Sequence, residues 1–238
     1  MVIWVFAGGG HTELKGLNIF LERNFPEHRF KRCTPMKQKR GPKPGKEQKA
    51  KALGKTGKDL ASQISHFLPV ALQDDICDLV LVLDDLDCHD EINSTDFFNE
   101  AIDATPGAED INRFIVFAAP EIESWLIADW QNTFAVDYRF RSFHAGLRHR
   151  LSTSHNISFN NPESFSEFNP DTDACREKIS EIIIDAVQAE SEECGIALPH
   201  FSKREHSPEL LMIAKAQVIQ QKCPIFAKFY HFLTDTGE

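Results

Sequence analysis

The sequence predicts an α/β protein, a parallel sheet flanked by helices, with a mainly helical C-terminal region. Three observations carry the α/β assignment. The run DLVLVL at 78–83 is apolar on both faces, the mark of an interior parallel strand. Shorter apolar runs at 2–6 and 114–118 have the same character. Between these runs, apolar residues recur at helical spacing, the pattern of strands joined by helical crossovers.

Taken in order, residues 2–6 run into Gly8-Gly9-Gly10, a strand delivered into a tight loop. Residues 13–25 follow as a helix, with Leu14, Leu17, Phe20, Leu21 and Phe25 on one spacing. A second strand is expected over 28–33. Gly41-Pro42 and Pro44-Gly45 forbid regular structure in the segment after it. Leu60, Ile64, Phe67 and Leu68 predict a helix over 59–68. After the strand at 114–118, Pro120 reads as a first-turn residue of a helix over 121–130. Residues 1–130 are thus the expected core, carrying a basic insertion at 31–58. Residues 131–172 are rich in Phe, Asn, Ser and His without periodicity, and read as an irregular excursion. Ile179, Ile182, Ile183, Ala186 and Val187 predict a helix over 173–193. Another starts at Ser207-Pro208 and ends at Pro224, and a last short one carries Phe226, Phe229 and Leu233.

Composition narrows the class. With 238 residues and 42% hydrophobic content, the chain holds enough for a large core. No apolar stretch is long enough to span a bilayer. The start, MVIWVFAGGG, lacks the basic region of a secretion signal. Six cysteines without a CxxC pair argue against a zinc knuckle and for reduced thiols in the cytoplasm. The histidines show no HExxH spacing, so a zinc hydrolase is not supported. The net charge of −10 conceals a segregation: residues 31–58 hold eleven Lys or Arg and one acid, Glu47. Lys37, Lys39, Arg40, Lys43, Lys46, Lys49, Lys51, Lys55 and Lys58 are candidate contacts to a nucleic-acid backbone, which supplies most non-specific affinity. The alternative is a solvated Lys-rich loop.

Four constellations bear on chemistry. The turn Gly8 to Glu13 lacks the third glycine of a dinucleotide fingerprint and the Gly-Lys-Ser/Thr of a phosphate loop. It leaves Glu13 at a helix N-terminus, where a carboxylate also serves the helix dipole. The strand at 78–83 runs into Asp84-Asp85-Leu86-Asp87-Cys88-His89-Asp90. On an extended segment Asp85 and Asp87 share a face, and carboxylates so close repel unless a hard cation such as Mg2+ or Mn2+ lies between them. Asp90 is a further candidate ligand. The third block, APEIESWLIAD at 119–129, brings Glu121 and Glu123 to another strand's carboxyl end. The fourth, SKREH at 202–206, offers Lys203 to a phosphate or to charge developing during cleavage.

These blocks together resemble the TOPRIM-like domain-of-unknown-function family 4276. The resemblance rests on GGGHTE, LVLVLDDLDCHD, APEIESWLIAD, FSKREHSPELL and CPIFAKFYHFL, and runs through most of the chain. TOPRIM domains occur in topoisomerases, primases and OLD-type nucleases. The resemblance implies metal-dependent phosphodiester hydrolysis, with Glu13, Asp85 and Asp87 as the catalytic acids. It also matches Glu123 to an acidic family position and Lys203 to the lysine of the C-terminal block. It further implies Mg2+ or Mn2+ as cofactor, a nucleic-acid substrate, and an ABC- or AAA-type ATPase partner in phage defence. The chain departs from the family pattern in replacing Glu-Gly after the first strand with a triple glycine and a displaced glutamate. Two other readings stand beside this one: a non-catalytic module binding nucleic acid or an ATPase, and a nucleotide-binding protein using the glycine loop.

Overall fold

The three apolar runs and the short strand after the first helix lie side by side, all parallel. A computed structural model describes residues 1–8, 10–34, 56–74, 76–108, 110–195 and 200–237. In it β1 (Val2–Ala7), β2 (Arg29–Arg32), β3 (Leu79–Asp85) and β4 (Arg113–Ala118) form one sheet in the order β2-β1-β3-β4. Val5 lies opposite Arg32 on one side and Leu81 on the other, and Leu81 opposite Phe114. Successive side chains on a strand alternate between faces, so a strand covered on both sides must be apolar throughout.

Both faces are covered. Ile3, Val5, Leu79, Leu81, Leu83 and Val116 pack against Phe20, Leu21, Trp125, Leu126, Phe226 and Phe229. These come from α1 (Asn18–Asn24), α4 (Glu123–Ala128) and the C-terminal helix. The opposite face, with Trp4, Phe6, Val80, Val82 and Phe117, meets Leu60, Ile64 and Leu68 of α2 (Gly57–Asp74) and Phe98 and Ile102 of α3 (Glu91–Asp103). Burial of these side chains stabilises the fold by about 1.5–3 kcal/mol each.

Several elements depart from expectation. The helix expected over 13–25 begins as a π-helical stretch, Glu13–Leu17, before α1. Helix α3 shows no clear stripe in the sequence, because only Phe98 and Ile102 are buried along it. Pro120 precedes rather than opens the helix of its block, since α4 starts at Glu123. The 131–172 excursion contains α5 (His144–Thr153), and Phe168–Asn169 (β5) pairs antiparallel with Ala174–Cys175 (β6). The helix expected over 173–193 therefore starts later, as α6 (Ile179–Glu193). The helix from Ser207 breaks into α7 (His206–Ile213) and α8 (Ala216–Ile219). The break is fixed from outside: Lys215 N–H donates to Asp129 Oδ2 at 2.7 Å and Ala216 N–H to Asn24 Oδ1 at 2.9 Å. The last helix, α9 (Pro224–Asp235), is held at its N-terminus by Glu163, which accepts from Ile225 and Phe226 N–H.

The expectation of wholly reduced thiols is corrected. Cys88 and Cys175 form a disulfide with Cα atoms 5.1 Å apart, while Cys33, Cys77, Cys194 and Cys223 are free. Residues 87 apart in sequence give no spacing signal for such a bond. Among the described residues no helix is long and apolar enough to cross a membrane.

Candidate active site

In an open parallel sheet, functional groups gather beyond the carboxyl ends of the strands where the strand order reverses. Here that point lies between β1 and β3. Glu13 follows β1, Asp84 and Asp85 end β3, and Glu121 and Glu123 follow β4.

Glu13 sits on the first residue of the π-helical stretch and is 8% exposed. Its carboxylate accepts no hydrogen bond among the described residues. Gly10 makes room for it, since a β-carbon there would overlap the Glu13 carboxylate. Arg32, the last residue of β2, organises the backbone around it. Its guanidinium donates to Ala7 O at 3.0 Å, Gly8 O at 2.7 Å and Glu13 O at 3.2 Å, and also to Thr34 O. Burial lowers the Arg32 pKa to about 10, against the opposing pull of Glu13.

The strand pleat separates the adjacent aspartates. Asp84 belongs to the α2/α3 face: its carboxylate accepts from Gly57 N–H at 2.6 Å, at the start of α2, and from Asp85 N–H at 3.1 Å. Burial pushes its pKa to about 7, only partly offset by those two donors, with Glu13 and Asp87 adding repulsion. Asp85 belongs to the other face, where Ile122 N–H donates to its Oδ1 at 3.0 Å. Burial and then Glu13 raise its pKa well above the usual carboxylate range, while Lys203 opposes them.

Lys203 holds the third strand end. Its ammonium lies 2.5 Å from Glu121 Oε2 and 3.1 Å from Glu123 Oε2. Ser180 donates to Glu121 through N–H (2.5 Å) and Oγ–H (3.0 Å), and Ser207 Oγ–H donates to Glu123 Oε1 at 2.7 Å. Burial, then Glu121, raise Glu123 to about 7 despite Lys203 and Ser207. Burial alone would lower the lysine pKa, but Glu123, Asp85 and Glu121 outweigh it and hold Lys203 charged.

Asp87 departs from the expected geometry. Strand β3 ends at Asp85, and Asp87 and Cys88 have left-handed backbones, φ 48° and 62°. The two-residue period that was to align Asp87 with Asp85 therefore stops before it reaches Asp87. Asp87 is instead positioned by a tight turn, with its N–H bonded to Pro120 O at 2.9 Å, and its charge acts on Asp84. Asp90 caps α3, accepting from Asn93 N–H at 2.9 Å. Asp84, Asp85, Asp87 and Asp90 all border a cavity of about 560 Å³, together with Lys58 and Phe97. The Cys88–Cys175 disulfide ties the turn to the β5–β6 ribbon, whose Asp173 borders the same cavity. Of the basic segment, only Lys31, Arg32 and Lys58 lie within the described residues. Lys58, in the first turn of α2, is exposed. Lys37, Lys39, Arg40, Lys43, Lys46, Lys49, Lys51 and Lys55 lie outside them.

The structure thus brings Glu13, Asp85, Glu123 and Lys203 into one electrostatic cluster and adds Glu121, Arg32, Ser180 and Ser207. The last three carry no local sequence signal, because each acts on a partner distant along the chain. As the side chains stand, no three His, Cys, Asp or Glu among the described residues are grouped to hold a metal ion. The chemistry of the donors still fits a hard cation: among the described residues the Glu13 carboxylate accepts no hydrogen bond, and it repels a buried neighbour, Asp85, that has one oxygen engaged. Glu121 and Glu123 are committed to Lys203 and the two serines. Compared with known proteins, the chain matches no family model, no curated protein and no solved structure.

Proposed function

We propose that the chain is a Mg2+- or Mn2+-dependent TOPRIM-type phosphodiesterase acting on nucleic acid. One observation carries this reading: Glu13, Asp85, Glu123 and Lys203 act on one another directly or through a neighbour at the carboxyl ends of β1, β3 and β4. Glu13 and Asp85 are the residues to hold the ion, with Asp87 and Asp90 on the adjoining cavity wall. When bound, the metal would supply charge stabilisation to the attacking and leaving oxygens of the phosphodiester.

The protein's own groups do the rest. Arg32 fixes the carbonyls of Ala7, Gly8 and Glu13 and so sets the path of the chain that presents the Glu13 side chain. Ile122 N–H fixes one Asp85 oxygen. Lys203 places a permanent positive charge beside the carboxylates, suited to a developing oxyanion. Burial holds Glu123 well above the ordinary carboxylate range, against the pull of Lys203, so the pair keeps its charge balance beside Asp85. The basic segment at 31–58 is the proposed docking arm for the strand, and an ABC- or AAA-type ATPase the proposed partner in antiviral defence.

The rival reading is a non-catalytic module on the same scaffold, which the lack of a ready three-donor group among the described residues favours. The test is cleavage of plasmid, single-stranded DNA and RNA with Mg2+ or Mn2+. Asp85→Asn keeps an acceptor for Ile122 N–H, and Glu13→Gln keeps the side-chain shape. Each is expected to lower the rate by at least about 100-fold with the fold intact. Cleavage that survives both substitutions rejects the site. Tight binding without cleavage in either metal, with and without the ATPase, selects the rival.

A further inference from the structure

A second basic surface lies outside the carboxylate cluster. Residues 139–155, in a chain of net charge −10, contain four arginines and three histidines and no acidic residue. Their charges are not equally spent. Arg139 pairs with Asp137 and Glu209, and Arg150 with Glu190 and Glu193. Arg148, on the same helix as Arg150, pairs with no carboxylate among the described residues. Its guanidinium lies 4.6 Å from the centroid of the Phe159 ring. Phe159 is itself fixed, edge-on to the buried Trp130 at 5.2 Å. Stacking on such a ring orients a guanidinium without neutralising it.

Around this group is a pocket of about 500 Å³, whose lining includes Arg148, His149, Ser152, Ser158, Phe159 and Asn160. Its polar groups are one permanent cation, an imidazole, two hydroxyls and an amide, with no carboxylate. That combination matches a phosphate oxygen cluster: a forked guanidinium for charge and neutral donors for the remaining oxygens. The helix that carries Arg148 is linked to the carboxylate cluster through α6. Helix α6 bonds Glu121 through Ser180 at one end and pairs with Arg150 through Glu190 near the other. Those ten residues span ~15 Å at 1.5 Å per residue.

We infer that the Arg148–Phe159 pocket is a backbone-phosphate subsite that holds a nucleic-acid strand flanking the position where it is cleaved. The inference deepens the phosphodiesterase reading and takes from it the identity of the ligand. The test is anisotropy of a short labelled oligonucleotide with the full chain, in EDTA, across a potassium chloride series. Arg148→Glu is expected to weaken binding about tenfold at low salt. It should also reduce the slope of log K against log salt by about 0.7 for a single strand or 0.9 for a duplex, one phosphate contact. Arg148→Lys, which keeps the charge, should retain most of the affinity. Unchanged affinity and slope in Arg148→Glu, with a melting temperature matching wild type, overturn the subsite. If Arg148→Glu does not fold, an Arg148→Gln variant that binds with wild-type slope overturns it equally. Hydrolysis of bis(4-nitrophenyl) phosphate by the wild-type chain with Mn2+ tests the parent reading separately. Arg148-dependent binding without that hydrolysis keeps the subsite and removes the enzyme, whereas hydrolysis with Arg148-independent binding does the reverse.

Discussion

Removing the ammonium of Lys203 should unfold the charge balance of the site before it unfolds the protein. In Lys203→Met, Glu121 and Glu123 lose a partner that now sits 2.5 and 3.1 Å away. Their side chains are 6% and 0% exposed, so water cannot replace it well, whereas the lysine side chain itself is 40% exposed. Breaking a buried ion pair by deleting one partner costs about 3–5 kcal/mol. The partial exposure of Lys203 moves that toward the surface range, leaving ~2–3 kcal/mol at about pH 8. For a chain of this size the melting temperature should fall by roughly 4–12 °C. The pH dependence gives the sharper signature. Glu123 already titrates at about 7, above its ordinary value of 4.5, so the native state takes up its proton more readily than the unfolded chain. Stability from this group is therefore present at low pH and lost as pH rises through that window, and deleting Lys203 extends the loss upward. Near pH 5 Glu123 is protonated with or without the lysine, so its share of the deficit should vanish there and the total should shrink. Urea unfolding in EDTA at both pH values measures it, and Lys203→Met with Glu123→Gln should recover part of the loss. A deficit below about 0.5 kcal/mol at the higher pH, or one independent of pH, would refute the electrostatic account.

Asp84→Asn should stabilise the metal-free protein at about pH 8, because burial holds the Asp84 carboxyl at about 7 against an ordinary 3.8. At 1.36 kcal/mol per unit the gain is at most on the order of 4 kcal/mol, absent near pH 4, and a pH–stability profile identical to wild type would contradict it. Protein purified without reductant should titrate four free thiols after unfolding, and six only after reduction. Breaking the Cys88–Cys175 bond, which closes a loop of 87 residues, should cost up to about 4.6 kcal/mol by the chain-entropy estimate; six thiols without reductant would deny the bond.

The interior of the sheet was legible because its strands are covered on both faces. An interior strand such as β3 must be apolar at every position, so Leu79 to Leu83 advertise themselves without reference to any partner. The helices over Asn18–Asn24 and Ile179–Glu193 were legible for a related reason, each burying one apolar stripe, the first toward the sheet and the second against α4 and α5. Helix α5 was hidden in the Phe- and His-rich excursion because only Leu147 and Leu151 are buried along it. The long C-terminal helix was overestimated because its break depends on Asp129 and Asn24, which lie far from it along the chain.

By itself the sequence determined the parallel α/β core and which acidic residues stand at strand ends, since both follow from local pattern: apolar runs, and the polar residues immediately after them. Only the tertiary structure decided how those acids are shared out. The pleat turns Asp84 toward α2 and Asp85 toward Lys203, and the left-handed turn at Asp87 removes it from the expected alignment. Three-dimensional packing also chose Arg32, Ser180 and Ser207 as partners, and joined Cys88 to Cys175. The physical reason is range. Burial pattern and backbone preference act over a few residues, whereas hydrogen bonds, ion pairs and disulfides act between any groups that folding brings within a few ångströms.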